Sequence, residues 1–181
     1  MLSFTSDEIW QHLREQSSNN QRDRSLSPFT ETYSEQLFTL DDNASVTLED
    51  WRVMSGVRDA VAKSLELMRA AGDIGAALEA GVTIYASEHI QQVLAKTGDE
   101  LRFVFITSSA SVRGLSEKPD NLETQTLNEH QYAVEAKKAS GEKCVRCWHL
   151  REDVGSHSEY PEICSRCVSN VHGDGETRQI A

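Results

Sequence analysis

"EKCVRCWHLREDVGSHSEYPEICSRC", residues 142–167, contains all four cysteines of the 181-residue chain, set as two C-x2-C pairs sixteen residues apart. Three chemistries compete for such a stretch: a metal knot, a redox dithiol and a disulfide staple. The spacing favours metal, because each pair sits in a tight turn that offers two thiolates to one face, and two such turns together supply a tetrahedral sulfur cage. The segment has few apolar residues, chiefly Val145, Trp148, Leu150, Val154, Tyr160 and Ile163. Burial alone would hardly order it, whereas zinc contributes about 10 kcal/mol to folding a peptide of this kind. A thioredoxin-like dithiol needs one such pair at a helix N-terminus near a βαβ unit. Disulfides need an oxidising compartment. The opening "MLSFTSDEIW" has no basic region followed by a long apolar run, which points to a cytoplasmic location instead. The expectation is one structural Zn2+ held by Cys144, Cys147, Cys164 and Cys167, with zinc-dependent folding of the segment.

Four thiolates around a divalent zinc leave a negative site that neighbouring cations and backbone N–H groups should offset. Arg146 and Arg166 occupy matching places inside the two turns, with Lys143 beside the first. They have two readings of equal weight: charge compensation for the cage, or phosphate contact. Trp148 either stacks on a base or covers the metal site, and covering is favoured in so small a core. His149 is superfluous as a ligand once four cysteines fill the shell. The order C-V-R-C-W-H misses the haem-attachment pattern by one residue.

Composition narrows the partners. With 38% hydrophobic and 26% charged residues the chain reads as globular, and no run of apolar residues is long enough to span a membrane. The net charge of −11 argues against a broad nucleic-acid groove. Its distribution is uneven: residues 1–136 carry 22 acidic and 11 basic side chains, whereas residues 137–181 carry seven of each. A local RNA contact near the cysteines is compatible with that balance; DNA binding is not expected. There is no G-x-G-x-x-G and no G-x4-G-K-[ST] to cradle a phosphate, and the six histidines are scattered. "HGDG" at 172–175 reads as a turn.

Upstream, Thr5 precedes Glu8 at capping-box spacing, and Ile9, Trp10 and Leu13 follow at helical intervals, so a short helix is expected from about Ser6. The polar run 16–27 reads as a loop, and 28–40 as irregular but packed. Leu48, Trp51, Met54, Val57, Val61, Leu65 and Met68 step by three or four, which predicts a long amphipathic helix capped by Thr47 and closed by Gly72. "VTIYA" (82–86) alternates as a half-buried strand. Ser87 can cap a helix carrying Ile90, Val93 and Leu94, with Thr97-Gly98 at its end. "LRFVFIT" (101–107), rich in β-branched and aromatic residues, reads as a second strand with a return through Val112, and "QYAVEA" (131–136) as a third. "KKASGEK" (137–143) is a turn-prone linker. The fold class expected is α+β: a helical N-terminal segment over 1–46, a long helix with a small mixed α/β unit over 47–138, and a zinc-ribbon-like four-cysteine knuckle over 139–181.

"GEKCVRCWHLREDVGSHSEYPEICSRCVSNVHGDGETRQIA" (141–181) resembles the C-terminal zinc segment of bacterial isoleucyl-tRNA synthetases, with G-E-K-C-x-R-C-W-H, E-I-C-x-R-C-V-x-N-V and G-D-G-E nearly intact. "LSFTSDEIW" resembles the last helix region of that family's anticodon-binding domain. "IGAALEAGVTIYA" and "GDELRFVFITSSASV" resemble its following α/β region. The resemblance implies a parent reaction, ATP-dependent ligation of L-isoleucine to tRNA(Ile), which needs HIGH-type and KMSKS-type motifs that this chain lacks, so the chain alone should be inactive. It departs from the family over 14–34, where a polar run and Thr32-Tyr33 replace the usual proline and Trp-Tyr element. Met1 falls inside what should be a longer helix, as expected of a fragment or a split gene. Carried over to this sequence, Cys144, Cys147, Cys164 and Cys167 are the zinc ligands. The resemblance implies tRNA(Ile) and the remainder of the synthetase as partners, with Arg146, Trp148, Arg151 and Arg166 as the side chains expected to meet RNA.

Overall fold

The computed structural model describes residues 3–16, 27–30, 39–41 and 44–180. The chain divides into two compact units, Met1–Thr39 and Leu40–Ala181. In the first, helix α1 spans Ser3–Gln16. It starts earlier than the Thr5–Glu8 capping pattern predicts: both residues lie inside the helix, so Thr5 does not cap it. Phe4, Ile9 and Leu13 are exposed. A 3-10 turn covers Pro28–Thr30, with Phe29 exposed where packing was expected. The rest of the polar run, Thr32-Tyr33 and most of the stretch up to residue 40 lie outside the described residues.

The second unit is organised by helix α2, Leu48–Ala71. Thr47 caps it as expected, and Asp50 completes a capping box, its carboxylate accepting from the Thr47 N–H (2.7 Å) and hydroxyl (2.8 Å). Gly72 ends it in the left-handed conformation, φ 83°, which costs little without a Cβ. Met54, Val57, Val61 and Leu65 form the buried stripe, joined by Val53 and Ala60, while Leu48 lies off it and is exposed.

Strand β1 (Ala80–Ala86), helix α3 (Glu88–Ala95), helix α4 (Leu101–Phe105) and strand β2 (Ser109–Gly114) form a crossover that pairs β1 with β2 in parallel. Strands β3 (Gln125–Leu127) and β4 (His130–Lys138) complete a four-stranded sheet of order β2-β1-β4-β3, with β4 antiparallel to β1. Alternation along β1 sends Ala80, Val82, Ile84 and Ala86 into the core against α2 and α3. Gly81 and Thr83 face the other way, where the Ser111 hydroxyl donates to Thr83 Oγ1 and the Tyr85 hydroxyl to Glu135. A salt bridge of 2.7 Å from Lys96 to the buried Asp50 ties the end of α3 to the start of α2.

The stretch 101–107 is not a strand, contrary to its composition. The 3-10 turn Gly98–Glu100 runs straight into α4, and the four-residue step from Leu101 to Phe105 buries both side chains. A two-residue period would have split them from Arg102, which is also buried. Parallel pairing of β1 with β2 requires a covered crossover, and these residues supply part of the cover. Ile106, at φ 57°, breaks the helix, and the strand begins only at Ser109, with Val112 opposite Ile84.

Candidate metal centre

The cysteine segment is launched by a two-rung hairpin, β5 (Glu142–Lys143) against β6 (Leu150–Arg151). Gly141, φ 94°, makes its entry possible: a Cβ there would meet backbone atoms of Arg151 and Glu152 within 2.6 Å. Between the two strands lies the first turn. The Cys144 N–H donates to His149 O (3.0 Å) and the Trp148 N–H to Cys144 O (2.9 Å), with Trp148 held at φ 65°. The second turn opens helix α5 (Ser165–His172), with Cys164 as its N-cap residue and Cys167 in its first turn. The two turns are stitched together by the Val145 N–H on Glu162 O (3.1 Å) and the Cys164 N–H on Cys144 Sγ (3.4 Å).

All four sulfurs lie within 4.8 Å of one another, with Cys144–Cys167 at 3.7 Å and Cys147–Cys164 at 3.8 Å. A tetrahedron with zinc–sulfur bonds of about 2.3 Å has edges of about 3.8 Å, and these two edges already have that length. A disulfide would need a sulfur separation of about 2.05 Å. Cys144, Cys164 and Cys167 are buried and Cys147 half-buried. The donor set and its spacing suit one structural zinc.

The electrostatics of the thiols are uneven. Burial opposes ionisation of Cys144, but the backbone N–H groups of Cys147, Cys164 and Arg146 outweigh it and bring its pKa down to about 6. Burial, reinforced by neighbouring thiols, pushes Cys147 and Cys164 up. Cys144 is thus easier to ionise than Cys147 or Cys164. His149 lies outside the sulfur group, and its Nδ1–H donates to Cys147 O (3.1 Å). Burial first, then the guanidinium groups of Arg166, Arg102 and Arg151, lower its pKa, against the hydrogen bond to Cys147 O, which raises it.

The four side chains expected to meet RNA do not share one surface environment. Arg146 is exposed, with Nη1 3.6 Å from Cys167 Sγ. Trp148 is 61% exposed and does not cover the cage; Val145 beside it is also exposed. Arg151 is half-buried with Nε 3.5 Å from Asp153. Arg166 turns inward, Nε 2.7 Å from Glu176 and its guanidinium 5.0 Å from the centre of the Phe103 ring. Residues 172–175 form the expected turn, Gly175 N–H donating to Ser169 O (3.1 Å), and it delivers Glu176 to Arg166 and Arg178. Phe103 and Glu176 were not among the expected site residues: Phe103 lies in a segment that read as a strand, and Glu176 stood in the sequence only as the last residue of the G-D-G-E stretch.

Residues 141–170 match a family described as the zinc finger found in FPG and IleRS. Along all 181 residues the chain is 42% identical to an isoleucine–tRNA ligase of Haemophilus influenzae. The chain is a homologue of isoleucine–tRNA ligases. Those of Shewanella pealeana and Nitrosococcus oceani are 43% and 44% identical over 182 aligned residues, again covering the whole chain. The chain spans about a fifth of the length of the ligases it matches, 18–19%. The four cysteines all fall inside the matched zinc finger. No described helix is long and apolar enough to cross a membrane.

Proposed function

We propose that this chain is the zinc-bearing, tRNA-binding part of an isoleucyl-tRNA synthetase, whose parent reaction is the ATP-dependent ligation of L-isoleucine to tRNA(Ile). Cys144, Cys147, Cys164 and Cys167 hold the zinc, and residues 139–181 work as one module beside the α/β unit of 47–138. Similarity along the entire chain supports the family. The observation that carries the RNA role is Trp148, a large ring left 61% exposed at a backbone position of positive φ, next to the exposed Arg146. A bulky residue in that conformation is strained unless its surroundings hold it, and such strain clusters at functional sites. The metal keeps the turn closed, so the ring is presented at a fixed angle and loses little entropy on stacking.

Stacking of a base on an aromatic ring is worth about 1–3 kcal/mol, and only a few phosphates can be neutralised by a chain of net charge −11, so affinity is modest and falls with salt. Titrating the zinc-loaded chain with tRNA(Ile) tests this. Trp148→Ala should weaken binding about 5- to 100-fold at constant salt slope. Arg146→Gln should reduce the salt slope by about one unit. Unchanged affinity in both variants would overturn direct recognition by the knuckle. A second reading, a module that docks on the body of the synthetase in the cytoplasm, draws on the exposed apolar pair Val145 and Trp148. It gains if Trp148→Ala leaves tRNA binding unchanged and lowers association with the remainder of the enzyme.

A further inference from the structure

Guanidinium groups converge on one side of the sulfur cage. A crevice between the knuckle and α4 is lined by Arg102, Arg151 and Arg166 together with His149, Cys147 and Cys164, and it is too tight to hold a water molecule. No phosphate can enter it. Arg102 comes from α4, outside the matched zinc finger, and is only 8% exposed. Its ion-pair partner Asp99 is 84% exposed at the side chain, so that carboxylate is largely solvated and neutralises the buried guanidinium poorly. Phe103 is the post that fixes the cluster: Arg102, Arg166 and Arg178 lie 4.6, 5.0 and 3.9 Å from its ring centre. His149, which stands edge-on to the same ring, has its Nε2 buried with no partner among the described residues.

We propose that Arg102 is a counter-charge and positioning residue of the metal centre, so that the zinc tetrathiolate extends electrostatically into the α/β unit. A cage of four thiolates and one divalent cation carries net negative charge. Arg146 meets it from the solvent side, at Cys167 Sγ, and Arg166 and Arg102 from the buried side. Removing water from the crevice strengthens that attraction, because little solvent stands between guanidinium and sulfur. The same groups secure the chain end: Glu176 joins Arg166 to Arg178, and Glu100 accepts the Gln179 and Ile180 N–H groups, each at 2.8 Å. This assignment rests on the zinc reading and is independent of tRNA binding.

Competition between the full chain and a chromophoric chelator for zinc alone tests it with two variants of opposite sign. Arg102→Gln should weaken zinc binding about tenfold. Asp99→Asn, which releases Arg102 from its exposed partner, should tighten it about threefold. An ion pair of merely structural value would make both variants weaker, and that result, or unchanged affinity in both, overturns the proposal. If Arg102→Gln gives no cooperative thermal unfolding, the surface variant decides: tighter binding supports the counter-charge role, unchanged or weaker binding rejects it. Failure of the zinc reading itself would look different, since the unmodified chain would then take up no zinc.

Discussion

Replacing Gly141 by alanine should uncouple the metal centre while sparing the rest of the fold. The residue sits at φ 94°, and its new Cβ would lie within 2.6 Å of backbone atoms of Arg151 and Glu152, which no side-chain rotation can relieve. The left-handed conformation costs an L-residue about 1–2 kcal/mol, and forcing the β5–β6 hairpin apart adds about 1–3 kcal/mol. Because ordering of the cysteine segment and binding of zinc are one process, a loss of about 3 kcal/mol should appear as roughly 100-fold weaker zinc binding. Gly72→Ala is the control. That glycine also has positive φ, 83°, but a Cβ there meets nothing within 4 Å. It should cost about 1 kcal/mol of global stability and leave zinc affinity unchanged. Chelator competition together with thermal unfolding of both variants distinguishes the outcomes. Zinc affinity within twofold of the parent for Gly141→Ala, or equal effects of the two substitutions, would refute the reasoning.

Asp50→Ala removes the capping box and strands Lys96, and thermal unfolding should report a loss of about 2–4 kcal/mol. Burial opposes ionisation of Asp50, but Lys96 and the Thr47 donors outweigh it and hold its pKa below the usual value; its contribution is therefore present above the unfolded-state pKa and lost as pH falls through the folded one. Acid titration of the parent and of Asp50→Ala should show the stability difference shrinking below about pH 4. Zinc-loaded protein should resist alkylation at Cys144, Cys147, Cys164 and Cys167, whereas metal-stripped protein, its cysteine segment no longer ordered, should be modified at all four; mass spectrometry of both counts the blocked thiols. Modification at the same rate with and without zinc would show that the metal does not protect the cage.

The parts of this molecule legible in its sequence are those set by local physics. Thr47, the three-and-four spacing from Trp51 to Leu65, and Gly72 all act within one helix, and they define α2 without reference to anything else. The two C-x2-C turns are likewise local, and their spacing names the metal before any fold is known. "LRFVFIT" failed because short runs of apolar residues have no decisive period, and the crossover geometry between β1 and β2 outweighed strand propensity. Trp148 was expected to cover the cage; the φ of 65° that turns it outward is a property of the closed turn, not of its composition. The arginine cluster on Phe103 joins residues about 60 to 75 positions apart. No local pattern encodes such a contact, since it arises only when α4, α5 and the chain end pack together.

X-ray absorption of the zinc-loaded chain probes the central claim most directly. One equivalent of zinc with four sulfur neighbours at about 2.3 Å is the expected result. Less than half an equivalent, or a shell in which nitrogen from His149 replaces a sulfur, would contradict it.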